Sequence, residues 1–291
     1  MEKELGISLA GGGIKAYAQI GVLKYLAELG ISGTFFAGTS MGSIIAALLA
    51  GGIPITEVEA TLLKIEEEII EQKLFKFSNT QLLPLLKKDA SGLISPEPFI
   101  ELVKKHFEKY QLKTFADLKY PLVVPSVDLK SGQTVLFTNV ENLNQRKYHI
   151  INDASLFIAL QASCSFPLVF DTLRYQGLQL VDGGVSMNAP VLPLKEAGVS
   201  PILSITMGII SDYEATSNLI DIGNRVVELM ILEADQLAIN DADLNINVYE
   251  KDIKVFSLAK GKDAIDLGYK TALKYQTEIL ALTKRKKGWF R

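Results

Sequence analysis

Apolar residues open the chain as short runs and later spread into helical stripes. Leu5 to Ala10 reads as a short buried strand, three glycines follow, and from Ala16 to Leu29 the residues Ile20, Leu23, Leu26 and Ala27 share one helical face that Gly30 closes. Thr34 to Ala37 is a second strand. Met41 to Ala50 is apolar nearly all round, so this second helix belongs in the interior. Two strand, loop and helix units in quick succession predict a parallel sheet covered by helices.

Further along, a helix capped by Thr56 reaches Glu71 and another starts near Pro96 to Pro98, with a loop-like stretch, Phe77 to Ser95, between them. Pro121 to Asp128 and Gln133 to Thr138 read as an antiparallel hairpin through Lys130-Ser131-Gly132. After a helix over Ala154 to Ala162, Tyr175 to Val181 is a strand leading into Asp182. Pro201 to Met207 and Ile253 to Leu258 read as strands, Ser217 to Ile239 and Ala264 to Thr283 as long helices. With no repeat and no linker, the expectation is one compact domain over residues 1–291. It is an α/β chain, a three-layer α/β/α sandwich with a mostly parallel central sheet, ending in a tail over 284–291.

Length and charge narrow the class. A chain of 291 residues buries roughly three quarters of its extended surface without disulfides, and the single Cys164 has no intramolecular partner. The first apolar run is too short for a secretory signal and follows Glu2 and Glu4, so a cytoplasmic protein is expected. Ile44 to Ile55, broken by Gly51, Gly52 and Pro54, falls below the ~20 residues that span a bilayer. Net charge is −3, while Lys284 to Arg291 concentrates five cations around Trp289 and Phe290. That tail suits transient contact with a membrane surface, against the plainer reading of a solvated basic terminus. Nucleic acid is not an expected partner, and oligomeric state is not legible.

Gly38-Thr39-Ser40-Met41-Gly42 is a G-x-S-x-G pattern, weak in a chain rich in glycine and serine but strengthened by its place between a strand and a buried helix. Gly11-Gly12-Gly13 with Ala16 also satisfies a relaxed dinucleotide fingerprint. The acidic residue that fingerprint needs about 20 positions on is missing, since Ala37 to Ser40 stand there. A glycine nest at a helix start equally offers N–H groups to a developing negative charge, an oxyanion hole, to which Lys15 adds positive potential unless it faces solvent. An activated serine needs a base, yet no histidine follows Asp182 and the two present, His106 and His149, sit in unrelated contexts. Asp182, at a strand end before Gly183 and Gly184, is the candidate, with a plain Asp-Gly turn as the competing reading.

Together these segments resemble the patatin-like phospholipase family: Gly11 to Ala16, Gly38 to Gly42, and Asp182-Gly183-Gly184, in that order. Val127 to Gly132, Ala162 to Pro167 and Asn188-Ala189-Pro190 are similar to supporting blocks, and the likeness covers about residues 5–195, leaving strands and helices over 196–283 unassigned. The resemblance implies a Ser-Asp dyad without histidine, with Ser40 as nucleophile, Asp182 as base and Gly11, Gly12 and Gly13 as the oxyanion loop. Lys15, Gly38, Gly42, Gly183 and Gly184 are the supporting motif positions. It further implies hydrolysis of acyl esters in lipids or phospholipids, with no metal and no cofactor. The family's Arg-Gly is Lys15-Ala16 here, which keeps the charge but loses the planar fork. A soluble carboxylesterase or thioesterase, or an inactive lipid-binding module, are the alternatives. Leu82 to Leu86 reads as a cap over an acyl pocket or a buried turn, Glu66-Glu67-Glu68 as a solvated face, and Cys164 as a packing residue.

Overall fold

The computed structural model describes residues 5–75, 91–208, 219–249 and 251–284. In chain order the elements are β1 (Gly6–Leu9), a 3-10 turn (Gly13–Tyr17) running into α1 (Ala18–Glu28), β2 (Phe35–Gly38), α2 (Met41–Ala50), α3 (Ile55–Gln72) and α4 (Glu97–Glu108). The hairpin strands β3 (Leu122–Asp128) and β4 (Thr134–Thr138) follow, then β5 (His149–Ile151), α5 (Leu156–Cys164), β6 (Leu173–Tyr175), β7 (Leu178–Asp182), α6 (Gly184–Met187) and α7 (Val191–Glu196). The last group is β8 (Ile202–Met207), α8 (Leu219–Ile239), β9 (Leu244–Val248), α9 (Gly261–Lys274) and α10 (Gln276–Lys284).

The sheet runs β5-β4-β3-β2-β1-β8-β9. Pairing is parallel from β3 through β9 and again between β4 and β5, and antiparallel where β3 meets β4 and β7. Helices flank this mostly parallel sheet, the three-layer arrangement expected from the sequence. Strands covered on both faces lose their polar alternation, and β1, β3 and β8 are buried at every position. Apart from Ser43 α2 carries no polar side chain, and it is buried everywhere except Leu49. Among the described residues no helix is long and apolar enough to cross a membrane.

Several expectations change. Ile253 to Leu258 is not a strand: Lys254 and Ser257 close a turn on each other, and the Val255 carbonyl accepts the Ile14 N–H at 2.9 Å. The edge strand is instead β9, whose Asn245 and Asn247 hide it from a propensity reading and hydrogen-bond Thr206 on β8. Pro54, not Thr56, is the N-cap of α3. The helix expected from Ala264 divides at Tyr275 into α9 and α10. Tyr175 to Val181 turns back on itself at Gln176 and Gly177 (φ 47° and 80°), giving the β6–β7 hairpin. Glu66 and Glu68 are buried rather than solvated; Glu66 accepts the Gly261 N–H, and Glu68 accepts from Lys105 and pairs with His106. Leu82 to Leu86 and Arg285 to Arg291 lie outside the described residues.

Candidate active site

β3 is shared on one edge by two strands that run toward each other. β2 lies parallel to its first half, with Ala37 opposite Val123, and β7 lies antiparallel to its second half, with Asp182 opposite Ser126. Both strands therefore stop facing Val124 and Pro125, and the residues just beyond their ends converge. Proline suits that point because it has no N–H to leave unpaired. The site lies where the strand order changes, outside the C-terminal ends of β1 and β2.

Ser40 leaves β2 with φ 53° and ψ −129°, a conformation that strains a side-chain-bearing residue, and it is the N-cap of α2. The turn is possible because a Cβ on Gly38 would stand 2.3 Å from the Gly42 carbonyl oxygen, and one on Gly42 would stand 2.5 Å from the Leu9 and Ala10 oxygens. The Ser40 N–H donates to Ser163 Oγ at 2.9 Å, and Ser43 Oγ donates to the Ser40 carbonyl at 2.6 Å. Thr39 Oγ1 ties the elbow to the Met187 carbonyl at 2.9 Å.

Asp182 is 3% exposed. Its Oδ1 accepts the Gly184 N–H at 2.8 Å, while Oδ2 accepts no hydrogen bond of full geometry. Burial pushes its pKa up to about 7, against the lowering effect of the Gly184 N–H and the nearby Ser40 hydroxyl. Serine and aspartate thus share one corner, the carboxylate keeping an oxygen open. Cys164 lies in the same corner; burial, then the Asp182 charge, push its thiol pKa up, so it stays protonated.

The triglycine loop crosses in front of this corner. Gly12 and Gly13 have φ 150° and 56°, and a Cβ on Gly13 would fall 2.3 Å from the Val255 oxygen, so the segment excludes larger residues. A Cβ on Gly11 would stand 3.0 Å from that of Ser40. The Gly11 N–H is committed to Asn188 Oδ1 at 2.9 Å, whereas among the described residues the Gly12 and Gly13 N–H groups donate to nothing. Lys15 does not face solvent: its Nζ donates to the Gly208 carbonyl at 2.7 Å beyond β8, and burial lowers its pKa while Glu228 opposes that shift.

Three residues that hydrogen-bond around this corner escaped the sequence reading. Ser163 had a signal in its Ala162 to Pro167 block, and Asn188 in Asn188-Ala189-Pro190. Asp235 on α8, which accepts from Asn188 Nδ2 at 2.8 Å, had none, since nothing near it in the chain marks it. The opposite face of α8 exposes Ile222, Val226, Leu229 and Met230. Neither histidine joins the site: His106 pairs with Glu68 at 3.0 Å and His149 heads β5 at the surface. Among the described residues no group of three or more His, Cys, Asp or Glu is placed to hold a metal ion.

Comparison with known proteins bears on the family and the fold. The family model described as Patatin-like phospholipase matches residues 7–195. An uncharacterized Bacillus subtilis protein, YqhO, is 25% identical over 205 residues, which cover 68% of this chain and 69% of that protein. Lysophospholipase NTE1 of Yarrowia lipolytica is 26% identical over 208 residues; these cover 72% of this chain but only 13% of that much longer protein. Among solved structures, VipD from Legionella pneumophila superposes with a TM-score of 0.51 at 15% identity, covering 96% of this chain and 67% of VipD. The chain belongs to the patatin-like phospholipase family.

Proposed function

We propose that this protein is a lipid acyl hydrolase of the phospholipase A type, with Ser40 as nucleophile, Asp182 as general base and the Gly11–Gly13 loop as oxyanion hole. One observation carries the reading: a buried carboxylate with a pKa near 7 and an open oxygen beside a serine on a strained strand-to-helix turn. As Ser40 Oγ attacks the ester carbonyl, its proton passes to Asp182, and the carbonyl electrons collect on an oxygen facing the Gly12 and Gly13 amides. Collapse of the tetrahedral intermediate expels the alcohol, which takes the proton from Asp182. Water, deprotonated by the same carboxylate, then cleaves the acyl-enzyme and releases a fatty acid.

Lipid rather than a short soluble ester is supported by the family and by the apolar residues that α8 leaves exposed. Contact with an anionic membrane through Lys284 to Arg291 belongs to the same proposal and rests on the sequence of that tail, cations flanking Trp289 and Phe290. The deciding experiment is mass spectrometry of products from a mixed phospholipid extract. Free fatty acid and lysolipid are expected from the wild type, and none from Ser40→Ala. Cleavage of short esters with no product from any lipid would replace this reading with a soluble carboxylesterase or thioesterase.

A further inference from the structure

The Asn188 side chain lies between the triglycine loop and a helix that begins well beyond the region matched by the family. Its Oδ1 accepts the Gly11 N–H at 2.9 Å, and its Nδ2 donates to Asp235 Oδ2 at 2.8 Å. Both residues are buried, at 6% and 5% exposure. Donor and acceptor chemistry fixes the amide orientation: an N–H on one side and a carboxylate on the other admit only one way round. Gly11 in turn sits between Asn188 Oδ1 and the Ser40 Cβ, since a Cβ placed on it would meet them at 2.7 and 3.0 Å.

A carboxylate buried for stability alone is a poor arrangement, because desolvation costs more than one hydrogen bond returns. Asp235 is such a group. Its Oδ1 has no hydrogen-bond partner, and burial raises its pKa to about 6 even though Asn188 and the Ala189 N–H pull the other way. What the arrangement secures is geometry. Without an acceptor at Asp235 the buried Asn188 Nδ2 loses its partner, so the amide shifts toward another acceptor and its hold on the Gly11 N–H loosens.

We propose that Asp235 is a positioning residue for catalysis: through Asn188 it locks Gly11 against Ser40 and so holds the Gly12 and Gly13 amides where the oxyanion forms. The proposal rests on the reading of Ser40 and the glycine loop given above. It adds a functional residue on α8, outside the matched residues 7–195.

The test compares Asp235→Leu, which removes the acceptor, with Asp235→Asn, which keeps an acceptor oxygen without the charge. A misplacement of about 1 Å at a reacting centre costs on the order of a hundredfold in rate. Asp235→Leu is therefore expected to lower kcat on an acyl ester by about 10- to 100-fold with KM changed by less than about threefold, and to slow fluorophosphonate labelling of Ser40 in parallel. Asp235→Asn is expected to recover most of both. The swap supplies a second arm: Asn188→Asp alone opposes two carboxylates and is expected to be nearly inactive, whereas Asn188→Asp combined with Asp235→Asn rebuilds the hydrogen bond with its polarity reversed and is expected to regain at least about tenfold in kcat. A residue that only stabilises the fold would lower the melting temperature and leave kcat per labelled serine unchanged. Wild-type kcat in folded Asp235→Leu, or no recovery in the folded swap, overturns the proposal. If Asp235→Leu does not fold, the swap alone decides. Should Ser40→Ala retain activity, the underlying active-site reading has failed instead, and the two failures are distinct.

Discussion

Asp182 is destabilising where it stands, and the role of general base proposed for it draws on the same burial. Its pKa of about 7 lies well above the ordinary aspartate value of 3.8, and the cause is burial. A base must be deprotonated, so kcat/KM is expected to rise through about pH 7 and level off above it, and a pH-rate profile on a soluble ester checks this. A limb near pH 4 would mean a solvated carboxylate. Asp182→Asn keeps the shape but accepts no proton, and a loss of about a hundredfold or more in kcat is expected. Stability runs the other way. Between the unfolded and folded pKa the native state binds more protons than the unfolded one, so this group lowers stability as pH rises from about 4 to about 7. Thermal melts of Asp182→Asn should therefore exceed wild type at pH 8, with the gap closing toward pH 4. A function-for-stability exchange of this kind is expected at a catalytic carboxylate. Ser163 gives a gentler test: without its oxygen the Ser40 N–H loses its acceptor, and Ser163→Ala should slow fluorophosphonate labelling while Ser163→Thr retains it.

At the scale of elements, α1 packs backbone to backbone against α9. A Cβ on Gly268 would stand 1.8 Å from the Ala18 oxygen, and one on Gly21 would stand 1.9 Å from the Ile265 oxygen. Backbone meets backbone there, so no side-chain rotation relieves an added methyl. Gly268→Ala is expected to destabilise by about 3 kcal/mol in urea melts, since the helices must separate; a change below about 0.5 kcal/mol would mean that the contact is loose. Elements with strong internal periodicity or a mostly apolar composition, such as α2 and the β3–β4 hairpin, were legible because their burial is written in their own side chains. β9 was not, since Asn245 and Asn247 satisfy themselves against Thr206, a partner some forty residues earlier. The buried Glu66 and Glu68 misled for a related reason: their partners, Gly261 and the Lys105–His106 pair, come from other helices.

Over the whole molecule, the region after residue 195 supplies structure that the family-like segment lacks. β8 lies beside β1, α9 covers α1, and α8 brings Asp235 to Asn188. The tail makes a separate prediction. Removing Lys284 to Arg291 should weaken sedimentation with anionic vesicles and leave hydrolysis of a short soluble ester unchanged; unaltered vesicle binding would end the membrane-contact proposal.

From its residues alone the chain determined the parallel α/β sandwich and marked out the candidate serine, its glycines and the candidate aspartate, because each is set by local periodicity or by a compact motif. Tertiary structure decided the rest. That β2 and β7 share one edge of β3 and end facing Val124 and Pro125 is a matter of backbone pairing, and backbone hydrogen bonds carry no side-chain identity for a sequence to display. Likewise, only folding committed the Gly11 amide to Asn188 and brought Asp235 behind it, since a buried polar group takes its partner from whatever the packed layers place within reach.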